Sequence, residues 1–393
     1  MEIIFWISLF IIFYTYLGYG FILYLMLRIR RIIKGKRPEI FYDWDDLPTC
    51  TLLIAAYNEE NFISEKISNT LALEYPKGKL EVIFITDGST DRTPDILKEF
   101  PQIKLLHQTE RKGKVAAMHR ALSHVNSEII VFTDANTELN KDALCKIARH
   151  YADKKVGAVA GEKRIKVNEL ADAGAAGEGF YWRYESILKN WDSELYSTIG
   201  AAGELFSVRS DLYQTVENDT ILDDFMISML IALKGYRIIY EPEAYAIETA
   251  SENITEELKR KIRIAAGGIQ SILRLKELLN IFRFGTLSFQ YISHRVLRWT
   301  ISPFLLVLVL ILNILIPIYN DNPIYSLLLL GQVIFYLLAI LGLILEKRQL
   351  RVKLFFIPYY FCVMNYAALA GLKRYLGNQQ SAVWEKAKRK NAI

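Results

Sequence analysis

Apolar positions are unevenly distributed along this chain. Both terminal regions carry long apolar runs, and the middle alternates short apolar runs with polar segments. Ile3 to Leu27 is a run of 25 residues without a charged side chain. That is long enough to span a hydrocarbon layer of about 30 Å. The basic residues Arg28, Arg30, Arg31, Lys34, Lys36 and Arg37 follow the run. A cleaved signal peptide has its basic residues first and a small-residue cleavage site after the apolar core. The run therefore reads as an anchor, with the following segment cytosolic by the positive-inside rule. Near the other end, Ile301–Tyr319 and Ile324–Leu345 read as two antiparallel spans joined by the short polar loop Asn320 to Pro323. Leu354–Leu372 is a third apolar run interrupted by Pro358 and Asn365. Its hydropathy favours spanning, whereas the basic tail (Lys373, Arg374, Lys386, Lys388, Arg389, Lys390) favours a re-entrant or interfacial segment, and these readings stay open.

The middle reads differently. Thr49–Ala56 is a strand ending in Tyr57-Asn58-Glu59-Glu60, followed by a helix over Asn61–Leu73 that Pro76 and Gly78 close. Leu80–Thr86 is a second strand, and Thr93-Pro94 opens a helix with proline in its first turn. Ile103–Leu106 is a short strand, a helix runs from Lys114 to His124, and Ile129–Thr133 is a fourth strand. This alternation predicts a doubly wound sheet. Beyond Leu139 it weakens. A helix over Lys141–Ala152, a strand Val156–Ala160 and an aromatic-rich helix within Gly174–Tyr196 are expected. An extended Glu204–Val208, a helix from Leu222 to Leu233 and a strand or loop Tyr236–Pro242 follow. In Glu256–Trp299, apolar Leu258, Ile262, Ala265, Ile269, Ile272 and Leu273 recur at helical spacing among lysines and arginines. A basic amphipathic helix in the membrane interface fits this pattern; a surface helix packed on the domain is the alternative.

Composition adds little that the pattern does not already say. The chain is 52% hydrophobic, above the roughly 45–50% of soluble domains. The net charge of +5 is modest, and its basic residues lie beside apolar segments, so a nucleic-acid partner is not indicated. Cys50, Cys145 and Cys362 are isolated and suggest neither zinc nor a disulfide. His107, His119, His124, His150 and His294 have no ligand spacing.

The candidate chemistry lies where apolar runs stop in acids. Val82–Thr93 (VIFITDGSTDRT) and Ile129–Leu139 (IIVFTDANTEL) end their strands in Asp87 and Asp134. Ligands in open α/β sheets bind at the carboxyl ends of the strands. Carboxylates there suit a hard cation such as magnesium or manganese and a charged ligand bound with it. Asp223 and Asp224 are adjacent, and mutual repulsion raises one carboxyl pKa towards that of a general base.

TLLIAAYNEE, ITDGSTDRT, VFTDANTEL, LDDF and RKIR stand in the order found in inverting family-2 glycosyltransferases, and the flanking apolar runs resemble the membrane-bound branch. That branch includes synthases of cellulose, chitin, hyaluronan and poly-N-acetylglucosamine. The resemblance implies an α/β GT-A fold, doubly wound with a mostly parallel Rossmann-like sheet, joined to transmembrane and interfacial helices. The implied division is an anchor with its basic flank (1–37), a cytosolic GT-A domain (38–255), amphipathic interfacial helices (256–299), a membrane region of two or three segments (300–372) and a basic tail (373–393). It also implies a multi-pass protein of the cell's inner membrane.

By the same resemblance, Asp224 is the catalytic base. Tyr57, Glu59, Asp87 and Lys114 bind the donor nucleotide, and Arg260 and Arg263 hold the leaving diphosphate. Asp134 and Asn136 occupy the metal motif, with Asn136 where the family has a second acid. Asp223, Glu204 and Trp182 are candidates for the acceptor or donor sugar. Ile264 stands where processive members carry tryptophan. The implied partners are a divalent cation (Mg2+ or Mn2+), a nucleotide sugar with uridine diphosphate as the default, and a polysaccharide or lipid-linked glycan acceptor. The bilayer and a homo-oligomer or small membrane subunit complete them. Asn136 also admits a non-catalytic nucleotide-sugar-binding regulator.

Overall fold

A computed structural model describes residues 1–35, 41–166, 175–249, 254–348 and 352–377. Linker residues 38–40 and the basic tail from 378 onward therefore lie outside the described residues, as do basic Lys36 and Arg37. The chain forms two compact units, one of Arg30–Lys166 and Lys189–Glu256, the other of Met1–Ile29, Val167–Leu188 and Glu257–Gln379.

The first unit is built on an eight-stranded sheet. Its strands are β1 (Cys50–Ala56), β2 (Leu80–Asp87), β3 (Lys104–Gln108), β4 (Ile129–Asp134), β5 (Thr137–Leu139), β6 (Val156–Lys166), β7 (Leu205–Arg209) and β8 (Arg237–Thr249). Their order is β3-β2-β1-β4-β7-β6-β8-β5. The first four pair in parallel, as the alternating sequence predicts. β1 and β4 are buried along nearly their whole length, as strands covered on both faces must be, so they read as continuous apolar runs. Register matters for the site. Ala55 pairs with Asp134 and Ala56 with Thr86, so Tyr57, Asp87 and Asp134 leave the sheet at one end.

The other half is mixed. β7 runs antiparallel to β4 and β6, β6 pairs parallel with β8, and β5 returns antiparallel on β8. Here sequence reading falls short. β6 extends to Lys166 rather than Ala160, β8 runs to Thr249 rather than Pro242, and the three-residue β5 was not expected. The added residues mix charged side chains with Ile165, Ala244, Ala246 and Ile247, and their strand conformation comes from pairing Glu162–Lys166 with Tyr245–Thr249, about eighty residues away. Such long-range pairing leaves no local apolar signal.

In the second unit, the helices Glu2–Lys34, Thr286–Tyr319, Pro323–Lys347 and Leu354–Leu376 are long and apolar enough to cross a membrane. Their outward residues are large and apolar, including Phe10, Phe21, Leu327 and Ile340. Polar side chains bond between helices: Thr15 to Ser302 at 2.9 Å, Tyr14 to Ser293 at 2.7 Å and Tyr16 to Asn365 at 2.6 Å. Such bonds supply specificity where lipid offers no hydrophobic contrast. The second of these helices starts at Thr286, well before the expected Ile301. Its early turns carry Arg295 and Arg298, which ion-pair with the buried carboxylate of Glu185 at 2.7 and 2.8 Å. Both arginines are thus ion-paired within the unit.

Lys353–Leu376 is one unbroken helix through Pro358, without the reversal a re-entrant segment needs. The amphipathic helix Ile254–Arg274 buries Ala265, Ala266, Ile269 and Ile272. A Cβ at Gly371 would lie 2.6 Å from the Ala265 Cβ, so this apolar stripe is already packed against a neighbouring helix. Leu273 remains exposed.

Candidate active site

Two loops at the strand ends clasp each other. Asn58 takes φ +52°, the left-handed region that asparagine tolerates better than most residues. Its Oδ1 accepts from the Thr90 N–H at 2.8 Å, and its Nδ2 donates to Thr90 Oγ1 at 3.3 Å. The Glu59 N–H donates to Thr93 Oγ1 at 2.8 Å, and the Glu60 N–H to Asp91 Oδ2 at 3.0 Å. Much of YNEE and DGSTDRT therefore serves to fix the loop after β1 against the loop after β2.

The clasp leaves Tyr57 and Asp87 facing one pocket, lined also by Ala55, Ala56, Arg111, Gly113 and Lys114. The Arg111 guanidinium lies 3.8 Å from the centre of the Tyr57 ring. Asp87 is buried, and its Oδ2 accepts the N–H groups of Lys112 and Gly113 at 3.0 and 2.6 Å. Its buried Oδ1 has no hydrogen bond, which leaves an acceptor ready for a ligand donor. A Cβ at Gly88 (φ +69°) would fall 2.5 Å from the Arg111 Cβ, so only glycine lets the two loops approach this closely.

Lys114 opens the helix Lys114–Leu122. Its Nζ lies 2.8 Å from Asp134 Oδ1 and 3.8 Å from Asp223 Oδ2. Burial works against its charge, but the carboxylates of Asp134, Asp223 and Asp224 hold the ammonium well above the usual lysine range. Asp223 and Asp224 begin the helix Asp223–Leu233. Burial, reinforced by the charge of Asp223, pushes Asp224 up to about 7, against the opposing pull of Lys114 and the Phe225 N–H. The Asp224 Oδ1 accepts that N–H at 2.8 Å. The Asp223 Oδ2 is buried without a hydrogen bond.

Of the remaining candidates, Glu59 is buried beneath the clasp. Asn136 lines a neighbouring hollow with Phe62, Glu65, Lys66 and Thr137. Glu204 is ion-paired with Lys163, which also pairs with Glu248. Arg260, Arg263 and Trp182 belong to the helical unit. Arg260 bonds Glu257 through two nitrogens at 2.9 Å each, and Lys261 sits 5.2 Å from the Trp182 ring.

Sequence reasoning missed Lys66 and Lys163. The Lys66 Nζ donates to the Thr137 carbonyl at 2.8 Å and to the Thr133 and Thr137 hydroxyls at 3.3 Å, behind the Asp134 turn. A signal was present: Lys66 sits among Ile63, Ile67 and Thr70 on the buried face of its helix, where a lysine needs a reason.

Does this donor set fit a divalent cation? Among the described residues no three acids, histidines or cysteines form a ready cage. Asp134 and the unbonded oxygen of Asp223 are hard donors at the strand ends. Magnesium and manganese are commonly held by one or two carboxylates together with substrate phosphates, so these acids fit a metal shared with a diphosphate.

Residues 51–215 match the model of glycosyl transferase family 2. This stretch is a family-2 glycosyltransferase domain. The chain is similar to poly-beta-1,6-N-acetyl-D-glucosamine synthase of Staphylococcus aureus (strain MSSA476), with 30% identity over 262 residues, 65% of this chain and 62% of the relative. The corresponding synthase of Staphylococcus epidermidis is 29% identical over 232 residues, covering 57% of this chain and 55% of that protein. The chain thus spans less than two thirds of the length of these relatives. The mannosyltransferase PcManGT of Pyrobaculum calidifontis, solved with GDP-Man and Mn2+, superposes with a TM-score of 0.70 at 24% identity over 96% of this chain and 99% of that one. That likeness is one of fold, the GT-A fold with its mixed, curled sheet.

Proposed function

We propose that this protein is a membrane-integral inverting glycosyltransferase that moves a sugar from a nucleotide sugar to a glycan hydroxyl, in β-linked polysaccharide synthesis. The observation that carries the reading is the meeting of Asp224, Asp223, Lys114 and Asp134 at the strand ends. Tyr57, Asp87 and Arg111 line the adjoining pocket, which suits the nucleoside. Asp224, raised to about 7, is poised to take the proton of the acceptor hydroxyl as that oxygen bonds to the anomeric carbon. The bond from that carbon to the diphosphate breaks in the same displacement, and the nucleoside diphosphate leaves with the electron pair. Lys114 faces the acids and gives positive charge to the leaving phosphates. Asp134 with Asp223 would hold a divalent cation, which would supply Lewis-acid neutralisation of those phosphates. Arg260 and Arg263 are assigned to the leaving group, and Glu204 and Trp182 to the sugar, on the family resemblance alone.

The four apolar helices support insertion in a membrane. Basic residues after the first of them support a cytosolic glycosyltransferase domain. The S. aureus and S. epidermidis relatives support a polysaccharide product. One residue favours a second reading: Ile264 replaces the tryptophan of processive members, which fits transfer of a single sugar to a lipid-linked acceptor.

The test is product analysis with full-length protein in lipid nanodiscs, using radiolabelled UDP- and GDP-sugars with Mg2+ or Mn2+. A high-molecular-weight ladder digested by a matching glycosidase is expected. One sugar on an extractable lipid would select the second reading. Absence of turnover with every donor would overturn both.

A further inference from the structure

In this structure Lys114 directs its ammonium at the acids. The Nζ lies 2.8 Å from Asp134 Oδ1 and 3.8 Å from Asp223 Oδ2. A Cβ at Gly203 would meet Asp224 Oδ2 at 3.3 Å and the Lys114 Nζ at 3.6 Å, so this wall of the cluster is bare backbone with no competing side chain. One ammonium faces three carboxylates. The Asp223 Oδ2 is buried without a hydrogen bond, its ion pair with Lys114 being the longer of the two.

We propose that Lys114 is a built-in counter-cation for Asp134, Asp223 and Asp224, which a divalent cation must displace. Metal and nucleoside diphosphate then bind strongly together and weakly apart. The inference rests on the glycosyltransferase reading, because a diphosphate is the ligand that receives the displaced ammonium.

The ammonium bonds the same Asp134 carboxylate that is the natural metal ligand, and two cations sharing it repel each other. The described residues form no preformed cage of three acids, so oxygen ligands from a diphosphate complete the coordination. Lysine carries its charge on a flexible four-carbon stem, so it can move from a carboxylate to a phosphate oxygen without refolding its helix. By linkage, whatever the diphosphate does for metal affinity, the metal does equally for diphosphate affinity.

The experiment measures Mn2+ binding to the full-length protein in nanodiscs, from the electron paramagnetic resonance signal of free Mn2+. It is run with Mn2+ alone and with saturating UDP or GDP. Wild-type protein is expected to bind Mn2+ at least about tenfold more tightly with a nucleoside diphosphate present. Lys114→Met should bind Mn2+ alone about tenfold more tightly than wild type, because the competing cation is gone, and its coupling should fall below about threefold. Lys114→Arg, which keeps the charge, should stay near wild type. Lys114→Gln replaces the methionine variant if the latter fails to fold by thermal melting, with the same expectation. Tighter Mn2+ binding is an outcome that general loss of structure does not produce. The proposal is overturned if the neutral variants bind Mn2+ alone no better than wild type. It is also overturned if wild type binds it equally well without a diphosphate. Coupled binding without sugar transfer would leave this inference standing and remove the proposed function.

Discussion

The two halves of the sheet both bury charge, but they treat it differently. In the mixed half, Lys163 lies between Glu204 and Glu248 and ion-pairs with both. Lys66, behind the Asp134 turn, is likewise provided for, with three oxygen partners. Burial pulls its amine down to about 7, against the charges of Asp134 and Glu138. At the end of the parallel half, three carboxylates share one ammonium, and the Asp87 and Asp223 carboxylates each keep an oxygen without a hydrogen bond. Buried charge alone does not mark a site, because scaffolds also contain it. At the strand ends, a buried carboxylate oxygen without a hydrogen bond carries a free-energy cost that a ligand removes.

The sharpest way to break this comparison is at Asp224. Asp224→Asn should lower turnover by roughly a hundred- to ten-thousandfold, the usual worth of a general base. It should also melt at a higher temperature above pH 7. Folding raises this carboxyl to about 7, so the folded state favours the proton. The ionised form therefore weakens the fold, from the ordinary carboxylate pKa upward and fully above pH 7. Asparagine removes that penalty at high pH and has little effect near pH 3. For the same reason, wild-type kcat/KM should fall as pH drops below about 7. An Asp224→Asn protein less stable at pH 8, or fully active, would refute the assignment.

The satisfied cluster should behave in the opposite sense. Lys163→Met leaves Glu204 and Glu248 without their counter-charge and should cost about 3–5 kcal/mol of stability, read by thermal or denaturant unfolding. Adding Glu204→Gln and Glu248→Gln to it should recover most of that loss. A Lys163→Met protein as stable as wild type would mean the cluster is less closed than its geometry indicates.

A smaller effect is expected at Tyr57, whose ring carries the Arg111 guanidinium at 3.8 Å. Tyr57→Ala should raise the donor KM about five- to thirtyfold, consistent with a loss of about 1–2 kcal/mol, and leave kcat nearly unchanged. A fall in kcat with unchanged KM would move Tyr57 from nucleoside binding to the chemistry.

The smallest effect separates the two positions of the metal motif. Asn136 lines the Lys66 hollow, whereas Asp134 meets Lys114. Asn136→Asp should change Mn2+ affinity in the presence of UDP by less than about threefold, and Asp134→Asn should weaken it by more than about tenfold. Equal effects at both positions would place Asn136 in the coordination sphere.

The parallel half of the fold was legible in the chain because its strands are buried on both faces. They read as β-branched apolar runs that stop abruptly in polar residues, which locates Asp87 and Asp134 without coordinates. The apolar helices were legible for a related reason: an unbroken apolar run of this length is the signature of a helix able to cross a bilayer. Sequence alone did not reveal where pairing and neutralisation come from distant residues. β6 and β8 hold charged segments in strand conformation because each completes the other's hydrogen bonds. The helix from Thr286 carries Arg295 and Arg298, and Glu185, more than a hundred residues away, ion-pairs with both. The roles inside YNEE and DGSTDRT were also hidden, since Asn58 and Glu60 serve the loop clasp while Tyr57 and Asp87 face the pocket. The residue types along the chain determined which acids stand at strand ends. Only the tertiary structure decided which of those acids are fully matched and which remain open to a ligand, because that depends on side chains brought together from across the fold.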